Sequence, residues 1–267
     1  MESADESTRC EFMKRIVAAD MPSPGLFSLL DKHLVSSGAW AKLLPTARSI
    51  WPVISRHFNS TGQCFPGRET ISRLSGVAVG QVSVATQNLV EHGLMRITKG
   101  KLSARGQRSN VYHATSTPSW RNSVFIFHSI IDGLHWARLT DSARGLYITM
   151  RAFGFINYEH VVGLSQECYD ITDDDDIADE VMRWQEFTAD HFRAEFYPAR
   201  PFELCIADED ALMELSGIKD RRTFRRAIRT LENGRLIESL GDFVDGDHTW
   251  AVAVCGVLPS REECLAA

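Results

Sequence analysis

Residues 216–238 predict a helix with two chemically opposite faces, and this feature constrains the fold more than any other. Apolar residues recur there at positions i, i+3, i+4 and i+7, and arginines repeat that spacing on the other side. The apolar set is Phe224, Ala227, Ile228 and Leu231, and the basic set is Arg222, Arg225, Arg226 and Arg229. One face needs a core to pack on, and the other suits an anionic partner.

The residues around this helix predict a winged helix. Asp220 is the expected N-cap and Gly234 the expected C-terminal stop. Residues 208–215 predict a shorter helix, and Ser216 and Gly217 form the turn between the two helices. Strand-like runs at 236–240 and 249–254 flank a segment rich in Gly and Asp, as in a hairpin.

A second copy of this pattern lies in residues 68–97. The tripeptide 74–76 (Leu-Ser-Gly) aligns with 215–217 (Leu-Ser-Gly), a separation of 141 residues. Once one residue is added in the second turn, the apolar positions also align, as Val82 with Phe224, Ala85 with Ala227, Leu89 with Leu231 and Leu94 with Leu236. The repeat favours two copies of one small domain. The alternative is a chance match of two amphipathic helices.

The length of 267 residues is sufficient for two domains, predicted here as 1–117 and 118–267. The predicted fold class is α+β, mainly α-helical with small β-hairpins: two tandem winged-helix (helix-turn-helix) domains, the second with an acidic helical insertion at about 157–202. Helices are also expected at 26–35, 46–58 and 140–153, and a strand or a helix at 124–131. A helix at 6–19 is either packed on the first domain or a homodimer contact.

The distribution of charge is more informative than the net charge of −6. Residues 94–115 hold five basic residues and no acid, whereas residues 157–195 hold twelve acids and two arginines. Four aspartates at 173–176 follow Thr172 and fit the first turn of a capped, solvated helix, or an autoinhibitory surface that covers the arginines. They lack the spacing of a calcium loop, so no metal site is predicted.

The remaining composition indicates an intracellular protein without catalytic chemistry. The six cysteines are scattered, as expected of reduced thiols in the cytoplasm, and the acidic N-terminus predicts no secretory signal. Apolar runs are too short to span a membrane. The chain contains no phosphate-binding loop and no HExxH, GxSxG or GxGxxG motif, so neither an enzyme nor a cofactor is predicted.

The run CFPGRETISRLSGVAVGQVSVATQNLVEHGLM resembles the helix-turn-helix of bacterial winged-helix proteins. With a second winged helix in the same chain, the whole resembles the plasmid and phage replication-initiator (Rep) proteins. The resemblance implies DNA-facing residues in both domains. They are Gln81, Ser83, Val84 and Gln87 in the first domain, and Thr223, Arg225, Arg226 and Arg229 in the second.

These side chains suit different tasks. Gln and Ser can contact base edges, so the first helix is expected to distinguish sequences. Five arginines on the second helix, Arg221 and Arg222 included, must also contact phosphates, which adds affinity without specificity. The loop 99–110 adds Lys99, Lys101, Arg105 and Arg108, which can lie along the DNA backbone or in a minor groove. Solvated basic surfaces that contact nothing are the alternative for both elements.

The sequence therefore predicts a protein that binds double-stranded DNA and initiates replication. A winged-helix transcriptional regulator is the first alternative, and an adaptor that uses winged helices to bind proteins is the second. Expected partners are double-stranded DNA, a second copy of the chain, and the replication or transcription machinery.

Overall fold

The computed structural model describes residues 27–102, 108–116, 118, 122–156, 202–242 and 247–254. The helices in this part of the chain are α1 Lys32–Ser36, α2 Ala39–Lys42, α3 Pro45–Ser55, α4 Arg68–Ser75, α5 Val79–Glu91, α6 His128–Asp132, α7 His135–Arg138, α8 Asp141–Phe153, α9 Glu209–Ser216 and α10 Arg221–Asn233. The strands are β1 Phe27–Asp31, β2 Gln63–Cys64, β3 Met95–Leu102, β4 Arg108–Ala114, β5 Ser123–Phe127, β6 Phe155–Ile156, β7 Phe202–Ala207, β8 Ile237–Asp242 and β9 His248–Ala253.

The first half of the molecule, residues 27–114, packs three helices against a small sheet. α3, α4 and α5 contact one another, and the apolar face of α5 (Val82, Ala85 and Leu89) is fully buried. The sheet is antiparallel, with strand order β2-β4-β3. The apolar residues that recur at helical spacing in α5 thus form part of the core. The two strands after α5, β3 and β4, form a hairpin.

The second half, residues 122–254, has the same order of elements. α8 packs against α9 and α10, and Phe224, Ala227 and Leu231 of α10 are buried. The sheet order is β6-β7-β9-β8, so β7, β9 and β8 correspond to β2, β4 and β3. Cys64 pairs with Tyr112 in the first sheet, and Cys205, 141 positions later, pairs with Trp250 in the second.

A second repeat links the elements that precede these helices. Residues 27–56 align without a gap to residues 96 positions later, so β1, α1, α2 and α3 correspond to β5, α6, α7 and α8. β1 and β5 pair antiparallel, and Leu29 lies opposite Phe125, its own counterpart in the repeat. This register is the one expected when the paired strands are related by a twofold axis through that residue pair.

Contacts between the halves are reciprocal. The Trp40 Nε1–H donates to the carbonyl oxygen of Gly145 at 3.2 Å, and the Trp136 Nε1–H donates to that of Ser49 at 2.8 Å. Both pairs join residues that correspond in the repeat of 96. α3 packs on α8, α2 packs on α9, and α7 packs on α4. Each half therefore packs a short helix against a helix of the other, α2 on α9 and α7 on α4.

Most of the predicted helices are confirmed. α8 ends at Phe153, and the Thr140 hydroxyl caps it by accepting from the Ala143 N–H. α10 begins after its predicted cap Asp220 and ends at Asn233, although the left-handed conformation falls on Arg235 (φ 53°) and not on Gly234.

The helix predicted at 26–35 is wrong for its first part, and only residues 32–35 are helical. This segment forms strand β1 and then the short helix α1, because residues 27–31 pair with β5 and Asp31 caps α1 by accepting from the His33 N–H. The segment 124–131, predicted as strand or helix, contains parts of both β5 and α6.

Several predictions lie outside the described residues. These are the helix at 6–19, the aspartates at 173–176 and almost all of the insertion at 157–202. The domain boundary at 117 and 118 stays a prediction. In the described ranges, no helix is both long enough and apolar enough to cross a bilayer.

Candidate nucleic-acid interface

The outer face of α5 has no basic residue, and its one acid is Glu91 at the C-terminal end. Gln81, Ser83, Val84 and Gln87 are all exposed, opposite the buried face of this helix. Val84 is 60% exposed, which is high for an apolar side chain. The Gln87 side-chain amide donates to the Glu91 carboxylate at 3.4 Å. The face offers amide, hydroxyl and methyl groups, the groups that can contact base edges in a major groove.

The outer face of α10 is strongly basic. Arg222, Arg225, Arg226 and Arg229 are exposed along it, and Thr223 beside them is half-buried. The Asp220 carboxylate accepts from the Thr223 N–H at 2.8 Å, and this bond lowers the pKa of Asp220. The arginines thus project from a capped helix as a row of positive charge.

Arg221 differs from the other arginines because it is already paired. Its guanidinium donates to the Asp210 carboxylate at 2.7 Å and contacts that of Glu209 at 3.4 Å, both on α9. Acids are favourable in the first turn of α9, and the turn brings them next to the start of α10. Sequence spacing within α10 cannot reveal this neutralisation. The place of Arg221 in a DNA interface stays a prediction.

The loop predicted at 99–110 is partly strand. β3 continues to Leu102 and β4 begins at Arg108, with a register shift between Lys99 and Leu102 that accommodates the irregular segment. The Lys99 ammonium donates to the Asn110 side-chain oxygen at 3.1 Å. Lys101 and Arg108 lie in the strands but their side chains are outside the described set, as is the whole of Arg105.

Sequence reasoning missed a groove between α10 and the β8–β9 hairpin. Arg225 and Arg229 line it together with Ser239, His248 and Trp250. The Ser239 hydroxyl is 2.7 Å from His248 Nε2, and the ring of His248 lies 4.4 Å from that of Trp250. No single stretch of sequence holds these residues together, because the sheet register brings them to α10.

One comparison with known proteins gives a match. A family model described as a helix-turn-helix domain matches residues 41–95, which contain α3, α4 and α5. Searches of curated proteins and of solved structures found no match. Because helix-turn-helix domains are DNA-binding units, the match supports DNA binding by the first half.

Proposed function

We propose that this chain is a sequence-specific double-stranded DNA-binding protein built from two winged helices. The observation that carries the proposal is the helix-turn-helix match at 41–95, together with the same order of helices and strands in the second half. Each half presents one exposed helix after a glycine turn, and in proteins of this kind that helix enters a major groove. α5 and α10 are the proposed recognition helices.

The arrangement of the halves supports a particular kind of DNA site. Paired strands and reciprocal tryptophan bonds resemble the twofold relation between subunits of a helix-turn-helix dimer. Such dimers bind two half-sites in opposite orientation, about one helical turn apart. The two halves are joined in one chain and their recognition helices differ, so the proposed site has two unlike half-sites.

The proposed division of labour follows from the side chains. α5 provides specificity through Gln81, Ser83, Val84 and Gln87. α10 provides affinity through phosphate contacts of Arg222, Arg225, Arg226 and Arg229, with Thr223 at its start. Lys99, Lys101, Arg105 and Arg108 of the first hairpin are proposed to contact the backbone beside α5.

The biological role that we propose is replication initiation of the plasmid or phage type, which the resemblance to Rep proteins motivates. Such a protein acts in the cytoplasm, needs no catalytic site of its own, and recruits replication machinery. A transcriptional regulator would bind DNA in the same way. Loss of plasmid maintenance on deletion of the gene supports the initiator, whereas changed transcript levels with intact maintenance support the regulator.

The binding proposal is tested by charge reversal on α10. Arg225→Glu with Arg226→Glu should weaken DNA binding at least about a hundredfold. The slope of log K against log salt, which is negative, should become less steep by about 2. The matched variant, Arg225→Lys with Arg226→Lys, keeps the charges and should keep most of that slope. Fluorescence anisotropy over a salt series measures both. Unchanged binding by the Glu variant, with its fold intact by circular dichroism, would instead favour the protein-binding adaptor.

A further inference from the structure

Two buried arginines at corresponding positions cross between the halves. Arg48 lies on α3, and Arg144, 96 positions later, lies on α8; each is 3% exposed. A Cβ built on Gly76, in the turn between α4 and α5, would lie 2.5 Å from Arg144 Nη2. A Cβ built on Gly217, in the turn between α9 and α10, would lie 3.0 Å from Arg48 Nη1. Each half therefore supplies an arginine to the helix-turn-helix turn of the other.

The backbone of each turn also lies close to the opposite half. Gly76 and Gly217 have φ values of 71° and 70°, in the left-handed region that favours glycine. A side chain at Gly76 would collide with the carbonyl oxygen of Ala137 on α7. One at Gly217 would come within 2.7 Å of the carbonyl oxygen of Ala41 on α2. The two turns thus have little room to move relative to the arginines.

Arg144 uses its whole guanidinium to hold this contact. Its N–H groups donate to the carbonyl oxygens of Trp136 at 2.9 Å and Ala137 at 3.0 Å, both next to the turn. They also donate to the hydroxyl of Ser49 on α3 at 3.1 Å and to the carboxylate of Asp141 at 2.6 Å. One side chain therefore connects α3, α7, α8 and the turn that precedes α5.

Arg48 occupies the equivalent place with fewer bonds. Its Nε and Nη1 have no hydrogen-bond partner among the residues that the structure describes. Pro45 stands where the repeat places Asp141, so the carboxylate that pairs with Arg144 has no counterpart. Arg48 packs between Gly217 and Gly145, and it contacts the second turn mainly through van der Waals packing.

We propose that Arg144 and Arg48 are positioning residues that fix the distance and rotation between the two recognition helices, and so determine which half-site spacing the protein accepts. The inference rests on the proposed function. Each turn leads directly into α5 or α10, so displacement of the turn displaces the start of that helix. One inserted base pair moves a half-site by about 3.4 Å and rotates it by about 34–36°, so only a rigid pair of helices discriminates strongly between spacings.

The experiment uses the full chain. The wild type first selects its site from a random double-stranded library. Affinities are then measured by fluorescence anisotropy on that site with one or two base pairs inserted or removed between its halves. Arg144→Gln and Arg48→Gln are compared with Arg56→Gln, which removes another ion pair between the halves (2.7 Å, to Asp132 on α6) without a contact to either turn glycine.

We expect the DNA affinity of the wild type and of Arg56→Gln to fall about tenfold or more when the spacing changes by two base pairs. The affinity of Arg144→Gln should fall less than about threefold. Arg48→Gln should show the same flattening to a smaller degree. If Arg144→Gln does not fold, judged by thermal unfolding, the spacing profile of Arg48→Gln decides.

A wild-type spacing profile in the folded arginine variants, merely shifted to weaker binding, would overturn the inference and assign both residues to stability alone. Failure of the library to yield any preferred site would overturn the proposed function itself, and this inference with it. The two failures are therefore distinguishable.

Discussion

Helices α5 and α10, the proposed recognition helices, share their buried residues in kind but not their exposed ones. The buried positions of α5 and α10 carry Val82, Ala85 and Leu89 in one half and Phe224, Ala227 and Leu231 in the other. Outside, α5 has no lysine or arginine, whereas α10 has five arginines. The comparison shows that the two helices keep the same kind of apolar face towards the core, while the chemistry of their exposed faces differs.

The interiors of the halves differ as well. In the second half, the Arg151 guanidinium and the Glu203 carboxylate form an ion pair at 2.6 Å with both side chains fully buried. Arg151 also donates to the Tyr147 hydroxyl and to the carbonyl oxygen of Phe125. In the first half, Ser55 corresponds to Arg151 in the repeat of 96, and Gly62 corresponds to Glu203 in the repeat of 141. The second half thus joins β5, α8 and β7 through a buried ion pair that the residues at the corresponding positions of the first half cannot form.

The largest expected effect comes from breaking this ion pair. Arg151→Met leaves Glu203 buried without its cation, which should lower the free energy of unfolding by about 3–5 kcal/mol. Ser55→Ala at the matched position removes one hydroxyl, which donates to the carbonyl oxygen of Pro52, and should cost less than about 1 kcal/mol. Urea unfolding measures both. Arg151→Met with Glu203→Met should recover most of the loss, and a double variant as unstable as the single one would contradict this account.

The next effect concerns the turn glycines. Gly76→Ala combines a left-handed φ with a collision against Ala137 and should cost about 2–4 kcal/mol. Gly93→Ala is the control, because Gly93 has a φ of 73° but nothing within 4 Å of a Cβ, so only the backbone cost of about 1–2 kcal/mol remains. Thermal unfolding compares them. Equal losses would mean that the close approach of the halves at Gly76 contributes nothing.

Local patterns predicted α9, the turn after it and α10 well, because the signals for these elements lie close in sequence. The apolar spacing in α10, the cap Asp220 and the glycine turn at Gly217 are all within about one or two helical turns of the residues that they organise. The aligned positions predicted α4 and α5 by the same reasoning, and the family match covers both helices.

The features that the sequence did not predict depend mainly on contacts between residues that are far apart in the chain. Residues 27–31 form a strand only because β5 lies beside them, and no periodicity within five residues distinguishes this from a helix. The pairing of Arg221 with Asp210 requires the turn geometry. The repeat of 96 did leave a signal, since Trp40 and Arg48 recur as Trp136 and Arg144, but alignment of the amphipathic helices alone did not detect it.

A smaller effect separates the two crossing arginines. Arg144→Met removes four hydrogen bonds and should cost about 2–3 kcal/mol. Burial lowers the pKa of Arg48 to about 10 against the opposing effect of Asp141, which indicates a charge with little compensation. Arg48→Met should therefore change stability by less than about 1 kcal/mol. The urea midpoints at unchanged m-value measure the difference. A larger loss for Arg48→Met would show that its unpaired groups have partners in solution.

The last comparison is between His128 in the second half and Lys32, its counterpart in the first. His128 is buried and lies 3.1 Å from the Ser28 hydroxyl. Burial, with Arg56 and His57 adding to it and Asp132 opposing it, lowers the pKa of His128 to about 4. The folded protein therefore holds the neutral imidazole, whereas the unfolded chain takes up a proton below about pH 6.5.

This difference makes the fold less stable in acid. The stability that neutral His128 contributes is fully present above about pH 6.5 and is lost as the pH falls towards 4. His128→Gln cannot titrate, so its Tm should fall less than that of the wild type between pH 7 and pH 4.5. Carboxylates lower the Tm of both proteins alike, so the difference between the two drops isolates the histidine. Equal drops would show that His128 is hydrated and protonated in the folded protein, and that the contact between β1 and α6 is open to water.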